Sequence, residues 1–402
     1  MSITSPLLHR FCERCERVTQ DGHLWCQDRD CPAEEGWPVF NYGDYLSDLK
    51  ITRLISIWRT AALYEAERGG EKNKQVVWVK VAHATPECAD RLRREAMFLR
   101  DAVKSIAPLP KKGLLKLIDS FKPAPPRSIW LQLLPAAPLN LDSPFGETTV
   151  QGTTRVFCVY AAGKGVTLRE AMLENPQVWH YEAGWTSMIV AEAVRPLVSA
   201  RLAHMSLSPR VVSVDTDEQG HWRPALLDLG WLLDSAHAPA SNGLSAFLTR
   251  CEPAYTAPEV RLDRNGGGIS PAADAYSLGV MHFEMLAGRP AVLQQFRRDD
   301  LVAKDVLDGA RKEQTLPIDQ DKFRPELSRA GVVNIVEKAI GTRERYASVL
   351  DMEKALLSIY GEPPPEKRTV PIRFYVLMAV IAIALIVLLV IIVGGFLARG
   401  AK

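Results

Sequence analysis

From Phe374 to Leu397 the chain reads FYVLMAVIAIALIVLLVIIVGGFL, about 24 residues without a charge. At about 1.5 Å rise per residue this is roughly 36 Å of helix, enough to cross a hydrocarbon core of about 30 Å with some tilt. Globular cores rarely hold so long a run without a polar face, so the segment is expected to span a membrane. Lys367, Arg368 and Arg373 flank one end and Arg399 and Lys402 the other, a count that leans only slightly toward a cytoplasmic N-terminal side. The stretch 361–373, which opens GEPPPEKR, reads as a proline-rich and basic linker. The first residues, MSITSPLLHRF, lack a basic region followed by an apolar stretch, so nothing marks the part before the span for export. The expectation is a single-pass membrane protein with a C-terminal anchor and its soluble part in the cytosol.

Four of the seven cysteines fall near the start, as Cys12-x2-Cys15 and Cys26-x4-Cys31. A C-x2-C pair places two thiolates on one tight turn, and a second pair about ten residues on completes a tetrahedral sulfur site. Gly22, Leu24 and Trp25 between the pairs suit a short hairpin. Two disulfides would need an exported segment, which no signal supports, and a redox C-x2-C would not need the second pair. Residues 1–40 thus resemble a zinc ribbon, with the x4 spacing departing from the usual x2, and Cys12, Cys15, Cys26 and Cys31 are the expected ligands of a structural zinc. Four protein ligands leave no open position for catalysis, and in so small a segment the metal would largely drive folding. The charges here are mixed (Arg10, Glu13, Arg14, Glu16, Arg17) and the whole chain carries a net charge of +2, so no nucleic-acid partner is expected.

Between about 42 and 360 the pattern begins with β-like runs and ends with helical ones. Ile51 to Ile57 and Gln75 to Val81 are rich in β-branched residues and predict strands. The charged segment Glu65 to Lys74 reads as an exposed connection between them. Glu87 to Val103 has helical spacing, with Leu92, Met97 and Leu99 on or near one face. Further helices are expected around 185–203, 274–287 and 331–340, and Pro135 to Thr154 reads as an inserted loop. Strands first and helices after is an α+β arrangement.

Within this region Val77-Trp-Val-Lys80 is similar to the V-A-I-K strand of protein kinases, and Glu95 stands on the following helix where the family's ion-pair glutamate would be. Leu227-Asp228-Leu229-Gly230 is similar to D-F-G, and Ala257-Pro258-Glu259 to A-P-E. Asp274-Ala-Tyr-Ser-Leu-Gly279 is similar to D-x-W-S-L-G, and Arg345 is placed like the arginine that pairs with the A-P-E glutamate. Three-residue motifs occur by chance, but these stand in the family's order over roughly three quarters of the chain. The resemblance implies a bilobal protein-kinase-like fold over 42–360, with Lys80, Glu95 and Asp228 as a residual nucleotide site. It assigns His204, Gly230, Glu259, Asp274 and Arg345 to the architecture, and it implies an adenine-sized cleft beside the hinge-like stretch Val159 to Leu168.

A kinase works by positioning and electrostatics: a glycine-rich loop over the phosphates, a lysine, magnesium ligands and a catalytic-loop aspartate. Here no glycine occurs between Gly43 and Gly69, so no shift of alignment supplies G-x-G-x-x-G, and Trp58 and Arg59 near the loop tip would crowd the phosphates. The catalytic loop reads His204-Met-Ser-Leu-Ser-Pro-Arg-Val211, with Ser206 in place of the aspartate and Val211 in place of the metal-binding asparagine. No Asp or Glu lies between Glu192 and Asp215, and no Asn between Asn175 and Asn242. A neutral hydroxyl is no base near pH 7, and valine ligates no magnesium. ATP and magnesium are therefore doubtful ligands. The resemblance points to a pseudokinase that binds protein partners at a membrane; the alternative is an active Ser/Thr kinase using Asp215 or Asp217.

Metal analysis of the detergent-solubilised protein is expected to find about one zinc per chain, and Cys12→Ser to abolish it.

Overall fold

The computed structural model describes residues 9–11, 18–19, 37–58, 60–69, 74–105, 133–136, 143–150, 152–163, 165–175, 178–216, 222–234, 253–262, 269–287, 331–341 and 344–360. Contacts divide the chain into two units, 1–363 and 364–402, and all the described residues belong to the first. The four N-terminal cysteines and the apolar run 374–397 lie outside the described residues. Among the described residues no helix is long and apolar enough to cross a membrane, and no group of three or more His, Cys, Asp or Glu side chains is placed to hold a metal.

At the N-terminus, β1 (His9–Phe11) pairs antiparallel with β2 (Val18–Thr19) and with β3 (Trp37–Val39). The sheet of the upper lobe follows. Its strands β4 (Tyr45–Leu46), β5 (Leu49–Ile57), β6 (Ala61–Arg68), β7 (Gln75–Ala82), β8 (Leu133–Leu134), β9 (Gly146–Val150) and β10 (Thr153–Ala161) run in the order β4-β5-β6-β7-β10-β8, with β9 also on β10. The runs expected at 51–57 and 75–81 are β5 and β7.

The charged stretch expected to be an exposed connection is half strand: Glu65 to Arg68 belong to β6, between β5 and β7. Buried Ala66 alternates with Glu65 and Glu67, and each glutamate meets a cation. Arg53 Nη2 lies 3.4 Å from Glu65 Oε2, and Lys74 Nζ 3.0 Å from Glu67 Oε2. Charge paired across strands and alternating with alanine suits a strand despite its polar composition. The supposed inserted loop likewise contains β9 and the start of β10, an antiparallel hairpin in the register Val150↔Thr153 to Gly146↔Phe157.

Helix α1 (Pro86–Ser105) packs on β10 and β7. Cys88, Leu92, Ala96 and Leu99 recur at the three- and four-residue spacing of one helical face and are buried, whereas Met97 is 38% exposed, being five residues and so well over a quarter-turn away from Leu92. Arg91 and Glu95 sit four apart on the same inner side.

The lower lobe is mainly helical. It comprises α2 (Leu168–Glu174), α3 (His180–Ser199), α4 (Pro258–Leu262), α5 (Pro271–Ala287), α6 (Val332–Ile340) and α7 (Val349–Tyr360). Thr167 starts α2 with a capping box: its hydroxyl accepts the Glu170 N–H, and the Glu170 carboxylate accepts the Thr167 N–H. α5 is buried along most of its length among α3, α6 and α7. Short strands carry the connections: β11 (Val166–Thr167), β12 (Leu202–Ala203), β13 (Val212–Thr216), β14 (Trp222–Leu226) and β15 (Leu233–Asp234), with β13 and β14 forming the hairpin that follows the catalytic-loop equivalent.

One apolar cluster joins the upper sheet's inner face to the lower lobe; a second covers the sheet's other face with Val39, Phe40 and Tyr64. The result is a mixed α/β, bilobal, kinase-like fold.

Gly184 of α3 lies under the Tyr360 ring, and a Cβ there would come within 2.6 Å of ring atom Cγ, close to the ring's backbone attachment. Gly184→Ala is expected to lower stability by about 1–3 kcal/mol through overpacking, with part recovered by Tyr360→Leu in the same chain; thermal unfolding of the three variants checks it.

Candidate functional site: a self-occupied cleft

Lys80 stands on β7 facing α1, and its ammonium forms an ion pair with Glu95 Oε1. The Tyr160 hydroxyl donates to the same oxygen at 3.1 Å. Asp228 follows β14 and brings its Oδ1 to 3.1 Å from Lys80 Nζ. A fourth charged group completes the cluster: Arg91, one helical turn before Glu95, lies 2.5 Å from Glu95 Oε2 through Nη1 and 2.7 Å from Asp228 Oδ1 through Nη2. Its Nε donates to the Gly230 carbonyl. All four side chains are buried.

Four buried charges summing to zero can persist only when each is paired and hydrogen-bonded. Burial alone pushes the Asp228 carboxyl up, but the Arg91 and Lys80 cations beside it hold it well below the usual carboxylate range. Its other oxygen, Oδ2, accepts the Gly230 N–H at 3.0 Å. Asp228 therefore meets three donors, two of them cationic. Magnesium there would have to displace a guanidinium, and one carboxylate is a poor site for an ion that demands near-octahedral oxygen ligation. The residues present do not fit the metal.

They do not fit the nucleotide either. Trp58, at the tip between β5 and β6, is 5% exposed, and its indole Nε1 donates to the Arg210 carbonyl of the catalytic-loop equivalent at 2.8 Å. The Ser56 hydroxyl donates to the same carbonyl at 3.2 Å. The Lys80 ammonium lies 5.1 Å from the Trp58 ring centroid and 5.5 Å from that of Tyr160, so its apolar surroundings are aromatic faces. Trp78 is 2% exposed and packs against Gly163 of the hinge-like stretch, where a Cβ would fall 2.4 Å from the indole ring. Beneath Trp58, a cavity of about 20 Å³ is lined by Thr60, Met205, Ser206, Ser208 and Val211 among others. That holds about one water, against several hundred Å³ for a ligand pocket.

The catalytic-loop equivalent is held by backbone chemistry. Asp274, at the start of α5, accepts the N–H of His204 at 2.8 Å and of Met205 at 2.7 Å. These two bonds hold Met205 at φ 64°, a left-handed conformation that a side chain like methionine rarely takes. Burial pushes the Asp274 carboxyl up to about 7, although the two N–H groups work against it. His204 Nδ1 accepts the Ser206 N–H at 3.2 Å, so Nε2 carries the proton and donates to the Asp228 carbonyl at 2.8 Å. Burial lowers the His204 pKa to about 4, leaving the ring neutral at pH 7. Gly230 has φ 65°, and a Cβ there would meet the His204 carbonyl and ring, so only glycine fits.

Glu259 and Arg345 also come together, at 2.5 Å, with Arg345 Nε donating to the Gly341 carbonyl at 2.9 Å. Val211 is buried and aliphatic, and Ser206 lines the small cavity. Asp215 lies on β13 opposite Arg223, its Oδ1 accepting the Thr216 N–H at 2.8 Å. Asp217 and the four cysteines lie outside the described residues.

Sequence reasoning passed over Arg91 and Trp78. Arg91 stands four before Glu95 on a predicted helix, a spacing that puts opposite charges together. Trp78 stands where the V-A-I-K pattern has alanine, a gain in volume at a position meant to leave room.

No family model matches the chain, and no curated protein does. Among solved structures, a double mutant of the Mycobacterium tuberculosis PknI kinase domain is similar at 17% identity and a TM-score of 0.47, over 80% of this chain and 99% of that one. The PknI kinase domain without those mutations is similar at 17% identity and a TM-score of 0.44 over the same shares. Nothing of that protein's activity carries over at this identity.

Arg91→Met leaves a buried net negative charge and is expected to cost about 3–5 kcal/mol, whereas Arg91→Met with Asp228→Leu costs less than Asp228→Leu and Arg91→Met summed. Asp228 is held below its ordinary 3.8, so its contribution is fully present above that pH and is lost as pH falls from there toward its lower folded-state value. Urea unfolding followed from about pH 5 down to the most acid pH at which the protein stays folded should show a steeper loss below about pH 4 in the wild type than in the double variant.

Proposed function

We propose that this chain is a membrane-anchored, kinase-fold binding module that does not transfer phosphate. The observation that carries the reading is the occupation of the cleft by the protein's own groups: Arg91 and Lys80 saturate Asp228, while Trp58 and Trp78 fill the space where a nucleotide would lie. Two absences in the catalytic-loop equivalent support it, since Ser206 offers no carboxylate base and Val211 no metal ligand. An apo-stable cleft also leaves the domain free to present a fixed surface, which suits a scaffold or regulatory partner of other proteins better than an enzyme that must open and close each turnover.

The remaining parts of the reading come from sequence. Cys12, Cys15, Cys26 and Cys31 supply a structural zinc in residues 1–40, a ribbon that extends the partner-binding surface. The run 374–397 anchors the chain in a membrane, with the kinase-like domain in the cytosol and the 361–373 linker as a tether. Such an anchor would concentrate the domain at a membrane surface, where encounter with a membrane-bound partner gains from a high effective concentration.

The test uses the full-length protein in detergent micelles with labelled ATP and magnesium. No phosphate incorporation above a protein-free control is expected, and no magnesium-dependent rise in melting temperature with ATP. Trp58→Gly combined with Trp78→Ala is expected to create a nucleotide-dependent melting shift while transfer stays absent. Clear transfer by the wild type would sink the reading.

A further inference from the structure

We propose that Trp37, His83 and Trp58 form a latch through which the N-terminal sheet holds the cleft shut. Trp58 is the plug, but nothing in its own hairpin explains why it stays down, because a tight β5–β6 turn fixes the backbone and not the direction of the tip. The tip is tied from two sides. On the lower side, the indole Nε1 donates to the Arg210 carbonyl at 2.8 Å. On the upper side, His83 Nε2 lies 2.6 Å from the Trp58 carbonyl, which can only accept, so the imidazole is the donor. The His83 backbone N–H adds a bond to the Thr60 carbonyl at 3.1 Å, and the Trp58 N–H closes the turn on Ala61 at 2.8 Å.

His83 sits between β7 and α1 and is buried. Its ring is set by Trp37, which stacks on it face to face with centroids 4.0 Å apart and planes 9° from parallel. Trp37 in turn belongs to β3, where it is the register partner of Phe11 in β1. One path from the N-terminal sheet to the cleft thus runs through this ring stack and this hydrogen bond. Trp37 is half-buried, while His83 and Trp58 are buried, so Trp37 is the link that something outside the domain can reach first.

Phe11 precedes Cys12 in sequence, and its strand β1 pairs with β3, which carries Trp37, so folding or engagement of the cysteine-bearing segment would reach the latch through that pairing. That input rests on the zinc reading; the latch does not, because all three of its residues and both of its contacts stand without the cysteines. It is also independent of whether the domain transfers phosphate. The alternative is that Trp37 and His83 are ordinary core packing with no influence on the tip.

Two substitutions separate these. His83→Phe keeps the stack and nearly the volume but removes the donor to Trp58. Trp37→Ala removes the stack and leaves the donor in place. Hydrogen exchange read by mass spectrometry on the full-length protein in detergent reports the amides of residues 56–61 and, as a monitor of overall stability, those of α5. The latch predicts exchange about five- to tenfold faster at 56–61 in both variants, the effect of losing one buried hydrogen bond, with α5 unchanged. Unchanged exchange at 56–61 in either variant overturns it. So does an equal acceleration at 56–61 and in α5, which would mean the two residues serve stability alone.

Discussion

The buried cluster of Lys80, Arg91, Glu95 and Asp228 is the constraint from which the rest follows. It joins a strand, a helix and the segment after β14, three elements far apart in sequence, at a point where no water screens the charges. Each charge would be costly alone in such surroundings, and the set is tolerable only because it is neutral and its members donate to or accept from one another. The helix can then sit in one position on the sheet, and Asp228 in one position against the lower lobe. From Asp228 the order spreads: Gly230 turns back onto His204, His204 bonds to the Asp228 carbonyl, and Asp274 holds the backbone of both His204 and Met205.

In a protein kinase a bound nucleotide and its metal complete the charge balance of the site. In this chain a guanidinium supplies the second positive charge, and indole rings supply the bulk. Arg91 brings its own covalent tether, so the cluster is complete without any ligand. Trp58 and Trp78 bury large apolar surfaces that a nucleotide would have to displace, and each fully buried aromatic ring is worth about 1.5–3 kcal/mol in transfer free energy alone. Asp215 lies apart from this cluster, in its own hairpin on β13.

The N-terminal sheet ties into this arrangement. Val39 and Phe40 enter the apolar cluster on the sheet's outer face, the Phe40 N–H donates to the Tyr64 hydroxyl at 3.2 Å, and Trp37 stacks on His83. Val39 and Phe40, just ahead of residue 42, thus take part in the core that the upper sheet builds.

Much was legible in the sequence because it depends on residue type and local spacing. The strands at 51–57 and 75–81 and the helices near 87–103, 185–203, 274–287 and 331–340 required no coordinates, although the second of these helices ends at Ser199, ahead of β12. Elements with a polar composition were hidden: β6 alternates partly exposed glutamates with buried Ala66, and β9 sits in what read as a loop. The state of the cleft was decided by tertiary structure. Arg91 is an unremarkable helix residue until Asp228, far along the chain, is brought to 2.7 Å from it, and Trp78 is one more strand aromatic until Gly163 opens the space it fills. The sequence by itself determined that no Asp or Glu lies between Glu192 and Asp215 and no Asn between Asn175 and Asn242, because these are facts of composition. Which charges pair with Asp228 and which rings pack beside it was decided only by the fold, because charge pairing and steric filling are properties of distance between residues that the chain order keeps apart.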